Sequence, residues 1–285
     1  MSSTHVLANQ AQGKAERAAS NPWLELLERA GYVARGVLYA VMGFLALLLA
    51  LRQGGKATDP SGSVVTLSGV PFGKFLLLAI AIGLAAYSLW GFVRAIFDPL
   101  SRGKDAHGIV ERLGFVWSGI SYAALALFAA QLFAGSGAAV SRDSTQTTIT
   151  KVLAYPAGEW AAAAVGLLAI AIGLYQFVVA YKADFKKDLK REEMSQAEFD
   201  TVVLLGRLGF FGRGVVFTLV GWFIFQGGLH RDPNRVHGYS GAFLFLLAQP
   251  YGHLLVGLVA IGFIALGFHS FASARWIRLM GSRRA

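Results

Sequence analysis

One segment occurs three times in this chain, and its first copy reads Glu28-Arg-Ala-Gly31-Tyr-Val-Ala-Arg35-Gly36-Val-Leu-Tyr39-Ala-Val-Met-Gly43. The second copy begins at Glu111 and the third at Gly206. All three keep the frame Arg-x-Gly-aromatic-x-x-x-Gly-x-x-aromatic without a gap. Each copy opens an apolar run of about 20 residues, the length that an α-helix needs to cross a bilayer. The repeated unit therefore begins by entering a membrane.

The composition excludes an ordinary soluble domain. Hydrophobic residues make up 55% of the 285 residues, charged residues make up 15%, and the mean hydropathy is +0.53. The absence of cysteine excludes thiol nucleophiles, disulfides and cysteine-ligated zinc or iron–sulfur sites. The net charge of +10 comes from basic residues at helix ends and in loops. This pattern is typical of orientation in a membrane and of attraction to anionic headgroups, so we expect no nucleic acid as a partner.

Six apolar stretches predict an all-α integral membrane protein with transmembrane helices over 32–51, 73–97, 114–134, 159–181, 209–229 and 253–277. The even-numbered stretches resemble one another, because each begins at a Pro-x-Gly sequence that ends in Gly73, Gly158 or Gly252. The repeat is thus a two-helix hairpin used three times with pseudo-threefold symmetry. We divide the chain into a disordered cytoplasmic tail over 1–20, repeats over 21–100, 101–185 and 186–278, and a basic tail over 279–285.

Two local patterns predict structure at the edges of the spans. Asn21 and Pro22 are typical of a helix start, and we expect a short interfacial helix there that leads into the first span. Ser195 and Glu198 fit a capping box, and the 182–208 loop mixes charges at helical spacing. We therefore expect a cytosolic helical elbow in this loop.

The distribution of basic residues predicts the topology. Because each repeat crosses twice, all three repeats enter from the same side. Residues 1–31, 98–113, 182–208 and 275–285 together carry sixteen Lys and Arg residues, whereas the opposite loops, 52–72, 135–158 and 230–252, carry six. The positive-inside rule then places both termini in the cytoplasm.

The triplicated segment, the Pro-x-Gly starts and the loop sequence Asp184-Phe-Lys-Lys-Asp-Leu together resemble the DUF1206 family of bacterial membrane proteins. The resemblance covers roughly residues 25–278. It implies a multi-pass protein of three DUF1206 units in the bacterial plasma (inner) membrane. It carries over no catalytic or binding residue.

Small and aromatic residues share one face of each odd-numbered span, because positions i, i+4, i+7 and i+11 lie on the same side of a helix. Small residues let another helix approach closely, so we interpret this face as a packing surface and expect the odd-numbered spans to be the inner helices. The alternative is that the three faces line a groove for an apolar or aromatic ligand. The small packing positions are Gly36, Gly43, Gly119, Ala126, Gly214 and Gly221.

Arg35 and Arg213 lie about one turn inside their spans, and the second copy has Ser118 at the same position. One interpretation is that both arginines extend to the cytoplasmic headgroups and anchor their helices. The other is that they bind an anionic lipid headgroup or an anionic solute, with Ser118 adding at most one hydroxyl. A different arginine, present in all three copies, is interpreted as an interfacial anchor: Arg29, Arg112 and Arg207.

The remaining polar residues match no catalytic or metal site. His230, His237 and His253 have no ligand spacing, so we expect no metal. His269 lies inside the sixth span, where we expect a neutral imidazole bonded to a neighbouring hydroxyl and leave an intramembrane role open. No acidic residue lies in the middle of a span, which disfavours proton- or sodium-coupled transport. Hydrolase and nucleotide-binding motifs are also absent from the sequence.

These observations predict a membrane protein that is not an enzyme and has no cofactor. We expect an accessory or scaffolding function through binding of membrane lipids, anionic ones included, or of a partner subunit. The alternative is a passive channel or an uncoupled carrier for a small solute along the axis between the hairpins. A polar, hydrated axis would favour the channel, whereas a dry axis packed by Gly36, Gly119 and Gly214 would favour the scaffold.

Overall fold

The computed structural model describes residues 22–97, 106–136 and 144–277, and within these ranges the fold is entirely helical. Six of its helices are long and apolar enough to cross a membrane, which confirms the predicted all-α, six-span architecture. The predicted tails over 1–20 and 279–285 lie outside the described residues. The helices are α1 (Pro22–Ala50), α2 (Pro60–Ser68), α3 (Gly73–Phe97), α4 (Ala106–Phe133), α5 (Ser144–Leu153), α6 (Gly158–Lys182), α7 (Gln196–Leu229), α8 (Tyr239–Leu247) and α9 (Gly252–Trp276).

Each repeat contains a leading long helix, a short helix and a trailing long helix. The leading helices are α1, α4 and α7, and the trailing helices are α3, α6 and α9. The short helices, which the sequence analysis did not predict, bury apolar side chains between the long ones: Val64 of α2, Ile149 of α5 and Phe243 of α8. The connection between two spans of a repeat is therefore part of the packed bundle.

The Pro-x-Gly sequences form one turn that is used three times. Their middle residues have a left-handed backbone, with φ of 62° at Phe72, 60° at Ala157 and 60° at Tyr251. The glycine that follows starts the trailing helix, and a Cβ on it would overlap a backbone carbonyl of the short helix before it. Only glycine permits this close approach, because any side chain would separate the two helices.

The largest helix contacts join consecutive repeats, not the two long helices of one repeat. α3 packs on α4, α6 packs on α7, and α9 packs on α1, so each trailing helix meets the leading helix of the next repeat in a cyclic order. Contacts within a repeat, between α1 and α3 and between α7 and α9, are less extensive. The threefold pattern is present in these contacts, and helices of consecutive repeats pack together more extensively than the two long helices of one repeat.

The second repeat lacks the contact between its own two long helices. In the first repeat Ala34 lies against Gly83, and in the third Gly212 lies against Gly262. The corresponding residues of the second repeat are Trp117 and Leu168, which are 59% and 60% exposed. Among the described residues, α4 and α6 are not a closely packed pair, and a Cβ on Gly114 would meet nothing within 4 Å. We call this gap the α4–α6 opening.

Burial does not match the expectation that the odd-numbered spans are the inner helices. In every repeat the trailing helix is more buried than the leading helix.

The sequence prediction for the start of α1 was wrong, whereas the prediction for the start of α7 is confirmed. From Pro22 on, where the description of the chain begins, α1 runs unbroken into the first span, so the short interfacial helix expected there is not a separate element. The Ser195–Glu198 capping box is confirmed, and it starts a single helix that continues through the fifth span. The elbow is made of two 3-10 turns, Asp184–Asp188 and Arg191–Glu193.

Candidate functional site

An arginine–tyrosine cluster, defined as Arg35, Tyr39, Tyr87, Tyr122 and Arg213, lies where three repeats meet. An Nη atom of Arg35 on α1 donates a hydrogen bond of 2.5 Å to the Tyr87 hydroxyl on α3. The hydroxyls of Tyr39 on α1 and Tyr122 on α4 are hydrogen-bonded at 3.1 Å. The repeat explains the second pair, because Tyr39 and Tyr122 are the same position of the triplicated frame.

Arg35 turns into the bundle. Its guanidinium carbon lies 5.5 Å from the ring centroids of both Tyr39 and Tyr87, within the range of cation–π attraction. Its Nε is buried and has no hydrogen-bond partner. This placement differs from that of an arginine extended to the headgroups.

Arg213 approaches the same centre from α7. Its guanidinium carbon lies 5.0 Å from the centroid of Phe217, and its Nε is also buried without a hydrogen-bond partner. Arg213 is within electrostatic range of the Tyr39 hydroxyl and of Arg35, so the two cations repel each other. Within the described part of the chain, neither guanidinium has a carboxylate within 4.0 Å.

Ser118 contributes less than its position in the repeat suggests. It is half-buried, and among the described residues it makes no hydrogen bond. The second repeat instead reaches the cluster through Tyr122, one turn further along α4. The three equivalent positions therefore do not form a symmetric set of ligands.

A second charged group, which the sequence analysis missed, lies beside the cluster. Arg94 on α3 contacts a Glu28 carboxylate oxygen on α1 at 3.4 Å and donates a 2.8 Å hydrogen bond to the Tyr32 hydroxyl. Its guanidinium carbon also lies 5.0 Å from Trp90 and 5.4 Å from Phe115. Arg94 is thus a cation with a carboxylate partner, which separates it from Arg35 and Arg213.

A signal for these residues exists in the repeat itself. Tyr87 and Arg94 occupy positions that hold Ile172 and Val179 in the second repeat. The third repeat has Leu266 and Ser273 at these positions, so Tyr87 is the residue of the two whose position is aliphatic in both other repeats. Ser118, where the other two repeats have arginine, is a further departure from the repeat.

The arginine shared by all three copies has a structural role in two of them. Arg29 donates hydrogen bonds of 2.7 and 3.0 Å to the last carbonyls of α9, and Arg112 donates bonds of 2.7 and 3.2 Å to those of α3. Each of these arginines thus caps the C-terminus of a trailing helix that belongs to another repeat, because it donates to carbonyl oxygens that have no partner within the helix. Arg207 is exposed and makes no hydrogen bond among the described residues, so only Arg207 fits the simple anchor interpretation.

The small residues of the frame lie at contacts between repeats. A Cβ on Gly36 would overlap Phe271, one on Gly119 would press on Phe92, and one on Gly214 would press on Phe177. Each of these glycines contacts a different trailing helix, so the three do not meet on a common axis. Their companions further along the same faces lie at the same contacts or in the core around them: Gly43, Ala126 and Gly221.

His269 is buried as expected but bonds to the backbone. Its Nδ1 lies 3.1 Å from the carbonyl oxygen of Val202, where a hydroxyl partner was predicted. The ring also packs against Phe185 of the elbow and Phe210 of α7. In the ranges that the structure describes, no group of histidine and acidic residues could hold a metal ion.

Comparison with known proteins agrees with the repeat. The model of one family, Domain of Unknown Function (DUF1206), matches three times, over residues 30–98, 113–183 and 208–276. The chain belongs to the DUF1206 family. Each DUF1206 match contains one leading, one short and one trailing helix.

A bacterial relative shares nearly the whole DUF1206 array. The chain is 32% identical over 251 residues to "Uncharacterized protein YxxB" of Bacillus subtilis (strain 168), which covers 88% of this chain and 90% of the relative. No solved structure gives a significant match. The contacts between the DUF1206 repeats therefore come from this structure alone.

Proposed function

We propose that this protein binds the phosphate of an anionic phospholipid between Arg35 and Arg213 and acts as an accessory protein of the membrane. The observation that carries the proposal is two neighbouring guanidiniums with no carboxylate beside them in the described chain. A cation inside a span is costly, up to about 2.5–3.5 kcal/mol at the helix centre on insertion scales, and a second cation nearby adds repulsion. A bound anion would offset both the cost of placing the cations in the membrane and the repulsion between them.

The chemistry of the cluster suits a phosphate group. Two arginines offer planar forks of N–H donors, which pair with phosphate oxygens through parallel hydrogen bonds. The Tyr39–Tyr122 bond uses one hydroxyl proton and leaves the other available to a ligand. The Tyr87 hydroxyl accepts from Arg35, so its own proton is available as well.

The bilayer around the protein favours a lipid as the source of that phosphate. The cluster lies on four of the six helices that are suited to a membrane, so we expect phospholipids to be the anions at the highest local concentration. We further propose that the protein resides in the inner membrane with both termini in the cytoplasm, since basic residues are in excess on that side. The arginines would then face anionic lipids of the cytoplasmic leaflet.

A passive channel or uncoupled carrier is the second candidate, and the convergence of polar side chains from α1, α3, α4 and α7 favours it. Against it, α2 and α8 bury Val64 and Phe243 between the long helices at the end where a pore would open. We favour the accessory role for this reason. We propose no catalytic activity and no cofactor.

Lipid retention tests the proposal. Purified wild type, Arg35→Lys, Arg213→Lys and the double variant are extracted, and bound phosphatidylglycerol is quantified by mass spectrometry. Lysine keeps the charge but cannot reproduce the fork, so we expect retention to fall about tenfold in the double variant, equivalent to about 1.4 kcal/mol. Equal retention in all four proteins would remove the proposed site.

Arg207→Lys is the matched control, since it makes the same change on the same helix at an exposed position. It should retain lipid like wild type. Liposomes that contain the protein test the second candidate: a solute flux that is abolished by the double variant would favour the carrier.

A further inference from the structure

We infer that the lipid enters sideways, through the α4–α6 opening, and that its acyl chains remain there while the headgroup reaches the arginines. This inference rests on the proposed function and adds the route and the second half of the binding site. Its ligand is a phospholipid with an anionic headgroup. The opening supplies the apolar part of the site, and the arginine–tyrosine cluster supplies the polar part.

The opening is built into the sequence of the second repeat. Its equivalents in the other repeats are closed by contacts between small residues, Ala34 with Gly83 and Gly212 with Gly262. Trp117 and Leu168 replace those small residues, and neither side chain can fit where helices approach that closely. The gap is therefore a consequence of two substitutions within an otherwise repeated unit.

The opening leads to the cluster. Among the helix pairs that pack closely in the described chain, α4 has only α3 and α2 as neighbours, and α6 has only α7 and α5. No closely packed helix thus separates the space between α4 and α6 from Arg213 on α7. On the α4 side, Tyr122 belongs to the cluster and follows Trp117 by little more than one turn.

The chemistry of the opening matches an acyl chain. Trp117, Ile120 and Leu168 are exposed apolar side chains on the two bordering helices. In a six-span protein, this surface faces lipid. Exposed apolar residues elsewhere on the bundle also face lipid, but these residues border α4, which carries Tyr122 of the cluster, and among the described residues the two arginines of that cluster have no carboxylate within 4.0 Å. Charge complementarity therefore selects an anionic lipid over the zwitterionic lipids around it.

Photo-crosslinking distinguishes this bound lipid from the surrounding ones. The full chain is placed in phosphatidylcholine nanodiscs with phosphatidylglycerol that carries a diazirine in one acyl chain, or with the matching phosphatidylcholine probe. Labelled residues are mapped by mass spectrometry. We expect the phosphatidylglycerol probe to label the region of Trp117 and Leu168 about tenfold more than the phosphatidylcholine probe, since one headgroup contact of about 1.4 kcal/mol gives that ratio.

The exposed side chains of Leu89 on α3 and Leu258 on α9 report ordinary lipid contact. Both probes should label them equally. The preference at the opening should vanish in Arg35→Gln/Arg213→Gln and persist in Arg207→Gln. Equal labelling of the opening by both probes in wild type would overturn the entry route.

A second measurement changes the opening itself. Trp117→Ala with Leu168→Gly restores the small residues of the other repeats and should bring α4 and α6 together, so exchange of bound phosphatidylglycerol against a deuterated form should slow several-fold. Leu89→Ala with Leu258→Gly is the matched control and should exchange like wild type. Unchanged exchange in a folded closing variant would contradict the route.

The two proposals fail differently. Retention that is the same with and without Arg35 and Arg213 contradicts the proposed function together with its route. Retention that depends on Arg35 and Arg213 without selective labelling at the opening sinks the route alone and leaves the headgroup site in place.

Discussion

Ser88 donates a hydrogen bond of 2.7 Å to the carbonyl oxygen of Gly119, and this bond joins the first repeat to the second at the contact that all three repeats share. The other two copies have Gly173 and Gly267 at the position of Ser88, and there the backbones themselves approach. The interface between α3 and α4 thus contains a side-chain hydrogen bond, whereas the two equivalent interfaces have a glycine at the position of the donor.

Gly119→Leu should lower the melting temperature in detergent by several degrees. A Cβ at this position would already lie 3.2 Å from the Phe92 ring and the Ser88 carbonyl, and overpacking costs about 1–3 kcal/mol. Gly114→Leu on the same helix is the control, because no atom lies within 4 Å of its Cβ position. Similar losses in both variants would show that helix propensity or membrane insertion dominates, not the contact between repeats.

Glu28→Gln should destabilise the protein strongly. Glu28 and Arg94 have side chains that are only 4% and 11% exposed, and removing one partner of a buried pair costs about 3–5 kcal/mol. The double variant Glu28→Gln/Arg94→Gln should recover part of this loss, which thermal unfolding of all three proteins measures.

Asp184→Asn provides the comparison for that pair. Lys187 holds the pKa of the Asp184 carboxyl below its usual range, but both side chains are mostly exposed and solvent screens the pair. This variant should melt like wild type. If Glu28→Gln also melted like wild type, the Glu28–Arg94 pair would have no structural role.

Arg29→Ala and Arg112→Ala should each lower stability, whereas Arg207→Ala should not. The first two arginines each donate to two terminal carbonyls of a neighbouring helix, and lost hydrogen bonds from charged groups cost about 1.5–3 kcal/mol. Melting temperatures of the three variants in one detergent make the comparison. Three equal losses would restore the view that all three are interfacial anchors.

Reporter fusions test the topology. A reporter inserted after Arg52 should score on the side opposite to one fused to the carboxyl end, since the opposite loops carry six basic residues against sixteen. Five of the six predicted spans separate these two positions, so scores on the same side would contradict the six-span topology.

The sequence predicted the spans well because apolar length and repetition decide them, and both can be read without tertiary contacts. It did not predict which helices are partners. The residues before and after Gly36 do not indicate which helix packs against it. The folded bundle shows that this helix is α9, which places Phe271 beside Gly36. The choice of a hairpin as the unit followed from sequence proximity, whereas the glycines pack against the next repeat.

The candidate site was predicted in part. Arg35 and Arg213 stood out because two copies have arginine where the third has serine, and the structure brings them into one cluster. The tyrosines were interpreted as packing residues, since an aromatic ring at helical spacing gives no sign of where its hydroxyl points. The short helices were missed because their apolar segments are too brief to be separated from the loops around them.

The contact between α9 and α1 sets an order on biosynthesis. Synthesis makes α1 before α9, yet α9 is the helix that covers Gly36 and whose terminal carbonyl accepts a hydrogen bond from Arg29. Until then α1 has only α3 as a long neighbour from its own repeat. A nascent chain that stops after the second repeat therefore leaves the glycine-lined surface of α1 uncovered, and this surface is buried only once α9 has been inserted.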